Sequence, residues 1–158
     1  IFAIIKSIQN GFTLMELVTT VAIMGIIAAT AIPRYSQIKA KTKKHSNIAN
    51  MNRIQETFFQ YYYRQHMAGN PHFPTAPDSE DHLMTDDWAN TPIDTLISTQ
   101  TPNDLFSSGS VPKNASNNPF YYSTSYETME DGRKKHTIVI EDTDPTSPSH
   151  NQSFSYSI

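Results

Sequence analysis

Between Phe12 and Ile32 the chain runs 21 residues with a single ionisable side chain, Glu16, and then meets Pro33. A helix rises about 1.5 Å per residue, so this run spans about 31 Å, the hydrocarbon thickness of a bilayer. A surface this apolar has to be covered by lipid or by other helices, which constrains the fold more than any other part of the sequence. Glu16 is the misfit. A lone charge inside a spanning segment costs on the order of 2.5–3.5 kcal/mol at the centre and less toward the end, so something must compensate it.

Spacing points to the compensating group. Residues four apart share a helix face, so a cut after Gly11 would leave a new α-amino group on Phe12 one turn from Glu16, within one chain or between packed copies. The run Gly11-Phe12-Thr13-Leu14-Met15-Glu16-Leu17, followed by apolar residues that end at Ala31-Ile32-Pro33, resembles the cleavage and methylation signal of prepilins. These are the precursors of type IV pilins and of the pseudopilins of type II secretion systems. The resemblance covers Gly11 to about Tyr35. It implies that residues 1–11 are a leader, that the prepilin peptidase cuts between Gly11 and Phe12 and methylates the new terminus, and that Phe12, Glu16 and Pro33 serve assembly. Residues 12–33 would be a transmembrane and later filament-core helix, with residues 34–158 as a globular head on the periplasmic or extracellular side of the inner membrane. The leader departs from the short basic form of the family, since Lys6 is its only charge. Arg34, Lys39, Lys41, Lys43 and Lys44 follow the apolar run, and counting Lys and Arg alone would put that side in the cytoplasm. The resemblance implies the opposite orientation, which is the one expected here.

Beyond Pro33, Tyr35, Ile38, Ile48, Met51, Ile54, Phe58 and Tyr62 recur at intervals near three and four among polar residues, the pattern of an amphipathic helix. One helix is expected from about Phe12 to about Gln65, bent near Pro33 where the ring removes an N–H, and ending at Gly69-Asn70-Pro71. The aromatics Phe58, Phe59, Tyr61, Tyr62 and Tyr63 are expected to be core where this helix meets a sheet. Seven prolines between Pro71 and Pro119 mark a loop-rich connector, on which Asp86-Asp87-Trp88 and the stretch Thr91 to Leu96 form short docked turns. Phe120 to Tyr126 and Thr137 to Ile140 read as strands around a turn at Glu130-Asp131-Gly132, with Phe154 to Ile158 as a third. The fold class is therefore α+β, a long N-terminal helix on a small antiparallel sheet, and the resemblance implies the same pilin-like architecture.

Charge divides unevenly. Residues 1–65 carry eight Lys and Arg against two Asp and Glu, while residues 66–158 carry four against thirteen. An acidic head repels phosphate backbones, which argues against a nucleic-acid-binding module. With no cysteine, the disulfide that staples the variable region of many pilins is impossible.

Glu141, Asp142 and Asp144 crowd three carboxylates after a strand, and oxygen-only clusters suit calcium. The major pseudopilins carry a calcium site near the C-terminus, so the resemblance lends support to a metal site at these three residues. The bland alternative is a solvated acidic loop. His66, His72 and His82 lack zinc spacing and read as locally bonded. No phosphate loop and no marked nucleophile appears, so enzymatic activity is not expected. The function expected is a structural one, a subunit of a type II secretion pseudopilus that self-assembles through its N-terminal helix on an inner-membrane platform and requires no cofactor. The alternative is a type IV pilin of a surface pilus for adhesion, twitching or DNA uptake.

Overall fold

The computed structural model describes residues 11–78, 80–93 and 99–158. The expected leader, apart from Gly11, and the expected turn at Asp94 to Leu96 lie outside the described residues. Helix α1, Leu14–Met67, is 54 residues long and runs through Pro33. It starts two residues after Phe12 because Thr13 caps it: the Thr13 hydroxyl accepts from the Glu16 N–H at 3.2 Å, and the Glu16 carboxylate accepts from the Thr13 N–H at 2.9 Å. This is a capping box, with two N–H groups of the first turn satisfied reciprocally. The far end closes as a Schellman motif. Gly69, at φ 86°, donates to the carbonyl of His66, and Asn70 to that of Gln65.

Contacts divide the chain into two units, one ending at Lys39 and the other formed by Ala40–Ile158. In the first, every described residue is exposed, including Phe12, Leu14, Met15 and Ile32. Tyr35 and Ile38, expected on the buried stripe, are 70% and 61% exposed because the elements that form the core contact α1 only farther along the chain.

In the second unit Met51, Ile54, Phe58 and Tyr62 of α1 are buried against Phe120, Tyr122, Ile138 and Ile140 of the sheet, with Phe73, Met84, Phe106 and Val111 from the connector. The aromatic cluster is core, as expected, except for Tyr63, which is 53% exposed. Phe58 sits 4.8 Å from Tyr122 and 6.5 Å from Trp88 between ring centroids, and the Tyr122 hydroxyl donates to the carbonyl of Pro74 at 2.6 Å. The buried ring and its polar tip are thus both satisfied.

The sheet is antiparallel in the order β1 (Tyr121–Thr128), β2 (Lys134–Glu141), β3 (Ser153–Ser157). The expected second strand begins three residues early, at Lys134, because the pairing continues to Tyr126↔His136 and Glu127↔Lys135 before the turn. Opposite charges across strands and Lys134 Nζ at 4.8 Å from the Tyr126 ring centre favour that extension. Gly132, at φ 80°, makes the turn. In the connector, Asp86–Ala89 forms a one-turn helix α2 capped by Thr85, and Leu83 bridges to Tyr121 at the outer edge of β1.

Candidate functional site

Gly11 and Phe12 lie outside regular secondary structure immediately before the Thr13 cap, and both are exposed. Among the described residues nothing lies within 4 Å of the position a Cβ would take on Gly11, and its φ is outside the left-handed range, so none of them requires glycine there. Glu16 stands in the first turn of α1, its Oε2 also accepting from the Thr13 hydroxyl at 2.7 Å. The threonines of the apolar run turn their hydroxyls back onto the helix. Thr19 donates to the carbonyl of Met15, Thr20 to that of Leu17 and Thr30 to that of Ile27, at 2.8–3.0 Å. No hydroxyl among them needs an external partner, as a hydrocarbon environment requires. Helix α1 is the one described helix long and apolar enough to cross a membrane.

The second candidate region gathers around Asp142, which is wholly buried, and Asp144. Asp142 Oδ2 accepts from Ser147 Oγ at 2.5 Å, from Ser149 Oγ at 2.6 Å and from Asn47 Nδ2 at 3.3 Å. Asp144 Oδ2 accepts from the amides of Asn118 at 2.8 Å and Asn114 at 2.9 Å, and its Oδ1 from the Thr146 N–H and hydroxyl. These donors, the Asn118 amide first and then Thr146, hold the Asp144 carboxyl well below the usual carboxylate range. Asn47 links three parts of the unit: Oδ1 accepts from the Ala115 N–H at 2.7 Å, while Nδ2 donates to Ser149 and Ser147 at 2.7 and 2.9 Å.

Of the three residues expected to hold a metal, Asp142 and Asp144 come together. Glu141, the last residue of β2, belongs by strand alternation to the face opposite buried Ile138 and Ile140. Among the described residues no group of three His, Cys, Asp or Glu is placed to hold an ion. The oxygens of Asp142 and Asp144 are engaged by N–H and O–H groups of Asn47, Asn114, Asn118, Thr146, Ser147 and Ser149. Asn47 escapes the motif-based reading, yet it stands four residues before Met51 on the buried stripe. A polar residue at a core position is the signal that finds it. His72 bonds the Asn70 carbonyl and the Tyr61 hydroxyl, and His82 the Pro77 carbonyl, so both are locally bonded as expected.

Residues 6–32 match the family described as the Prokaryotic N-terminal methylation motif. The chain is 50% identical over 44 residues to a type IV major fimbrial protein FimA of Dichelobacter nodosus, a match covering 28% of each chain. Another FimA of that organism is 55% identical over 38 residues, 24% of each chain. The chain thus spans about a quarter of the length of the curated relatives it matches. No solved structure matches it significantly.

Proposed function

We propose that this chain is a structural subunit of the type IV pilin and pseudopilin family, and within it the repeating subunit of a surface type IV pilus; the match of residues 6–32 to the methylation motif and the similarity of the N-terminal segment to fimbrial proteins support this. The observation that carries this reading is the exposure of every described residue of α1 as far as Lys39. So much apolar surface demands a cover, which the bilayer supplies to a single subunit and the helices of other copies supply in a fibre. The fimbrial relatives favour a surface pilus over the secretion pseudopilus expected from the head.

In this reading the prepilin peptidase cuts between Gly11 and Phe12. Glycine at 11 serves an enzyme that approaches the exposed backbone, since nothing among the described residues requires it. Phe12 becomes the methylated terminus, and Glu16 of one copy neutralises the Phe12 amino group of the next, which lowers the cost of placing either charge in an apolar bundle. The inner-membrane assembly platform then draws subunits from the bilayer, with each head outside the membrane. The test is intact mass analysis of filaments sheared from producing cells. A chain beginning at methylated Phe12 is expected. Filaments whose subunit retains Gly11 would overturn the processing step. A deletion strain that keeps its surface filaments and loses exported proteins would replace the pilus reading with the pseudopilus.

A further inference from the structure

The hairpin of β1 and β2 reaches past the core. Residues 125–135 are all exposed, and the first buried side chain that β2 meets after the turn is His136. Strand alternation puts His136 on the face of Ile138 and Ile140, which are core, so it roots the projecting arm. His136 is 6% exposed. Its ring centre lies 5.4 Å from that of Tyr62 on α1, 5.9 Å from that of Tyr126 on β1 and 6.5 Å from that of Phe73 in the connector. Its Nε2 is buried without a hydrogen-bond partner, the one such side-chain atom among the described residues. Folded proteins leave few buried polar atoms in that state, and each calls for a reason.

The neutral ring tolerates these surroundings, because Nε2 can be its bare nitrogen. The imidazolium does not: both nitrogens then carry protons, and the Nε2 proton would point where no acceptor stands. The groups that face the ring give a cation no relief. Lys134 lies two residues away on the same face, and its Nζ, 4.8 Å from the Tyr126 ring centre, already occupies that ring. From the connector comes His72, engaged with the Tyr61 hydroxyl at 3.0 Å, and from α1 comes Tyr62, on which His66 is stacked. Asp78 and His82 line the same cleft as His136, yet neither bonds Nε2. From β3 the backbone of Ile158 pairs with that of His136 in both directions, while Glu127 and Lys135 belong to the opposite face of the hairpin. Burial, then Lys134 and His72, hold the imidazole below its ordinary value of about 6.5.

We propose that His136 is an acid-sensitive latch: the neutral ring docks the hairpin arm on Tyr62 and Phe73, and its protonation releases the arm while the rest of the second unit stays folded. The sheet keeps its hold on α1 through fully buried Ile138 and Ile140 and through Tyr122, whose hydroxyl is fixed to the Pro74 carbonyl. A histidine whose value is lowered by docking leaves the docked form favoured above about pH 6.5. Each pH unit below that shifts the balance toward release by at most about tenfold for one proton.

Amide exchange of the full chain in detergent, followed by NMR, tests the latch. The Ile158 N–H, bonded to the His136 carbonyl at 2.9 Å, reports on the root of the arm. The Tyr122 N–H on the His82 carbonyl and the Met84 N–H on the Phe120 carbonyl, both at 2.9 Å, report on the core. Between about pH 7.5 and about pH 5.5 the protection of Ile158, corrected for the intrinsic pH dependence of exchange, is expected to fall on the order of tenfold, with the core amides unchanged. His136→Gln is expected to abolish that fall and His72→Gln to leave it in place. Constant Ile158 protection, core amides that fall with it, or a His136→Gln chain that keeps the pH dependence would overturn the latch. Should His136→Gln fail to fold, titration of the His136 ring in the unaltered chain decides. A midpoint below about 6.5 that tracks the loss of Ile158 protection upholds the latch, and one at or above that value overturns it.

Discussion

Glu16 carries two loads that a substitution to glutamine separates. Its carboxylate closes the capping box with Thr13, and in the proposed bundle it is the counter-charge for an amino group. Glutamine at this position keeps the capping box and removes the charge, whereas alanine removes both. Glu16→Gln is therefore expected to leave the start of α1 helical and still block assembly, and Glu16→Ala to fray the first turn in addition. Filaments from the Glu16→Gln strain at wild-type yield would assign the residue to capping alone. At Asp144 the test is pH. Its folded-state carboxyl is held low by Asn118 and Thr146, so the charged form stabilises the fold at any pH above the ordinary carboxylate value of about 4, and that contribution is lost as pH falls below it. Thr101 and Arg133 lower Asp104 and Asp131 in the same sense, though both acids are exposed. Melting temperature of the full chain in detergent should drop as pH falls from about 4 toward about 2, and Asp144→Asn should flatten that drop.

Helix α1 and the hairpin are legible in the sequence because periodicity and turn chemistry are local: the spacing Met51, Ile54, Phe58, Tyr62 names the stripe, and Glu130-Asp131-Gly132 names the turn. The polar network is not local. Asn47 lies 95 residues from Asp142 and 68 from Ala115, so no pattern within one element reveals that they meet. The acidic run drew attention to Asp142 and Asp144 for their charge, while the serines and asparagines that satisfy them look like ordinary loop composition. We propose that this neutral-donor network, with no bound cation, fastens the last loop to α1. Asn47→Ala strands the Ala115 N–H and removes a donor from Asp142, Ser147 and Ser149, and is expected to destabilise the second unit by about 1–3 kcal/mol. The wild-type melting temperature should be equal in millimolar calcium and in chelator. A higher value in calcium, abolished by Asp142→Ala, would restore the metal at Glu141, Asp142 and Asp144.

At the scale of the whole molecule, the apolar segment and the opposed charges of its two ends follow from composition alone, and they carry the functional reading. The sheet adds a property that matters only when many copies are crowded. Its outer strand, β3, is five residues long, and Ser153, Ser155 and Ser157 alternate there with Phe154 and Tyr156, which pack against the core. Thr137 and Ser157 hydroxyls bond across the strands at 2.9 Å, and the opposite edge is bridged by Leu83. A short, hydroxylated free edge is a poor template for strand addition. In the proposed filament, neighbouring heads would stand side by side at high local concentration without their sheets fusing, so each subunit would stay separable from the next.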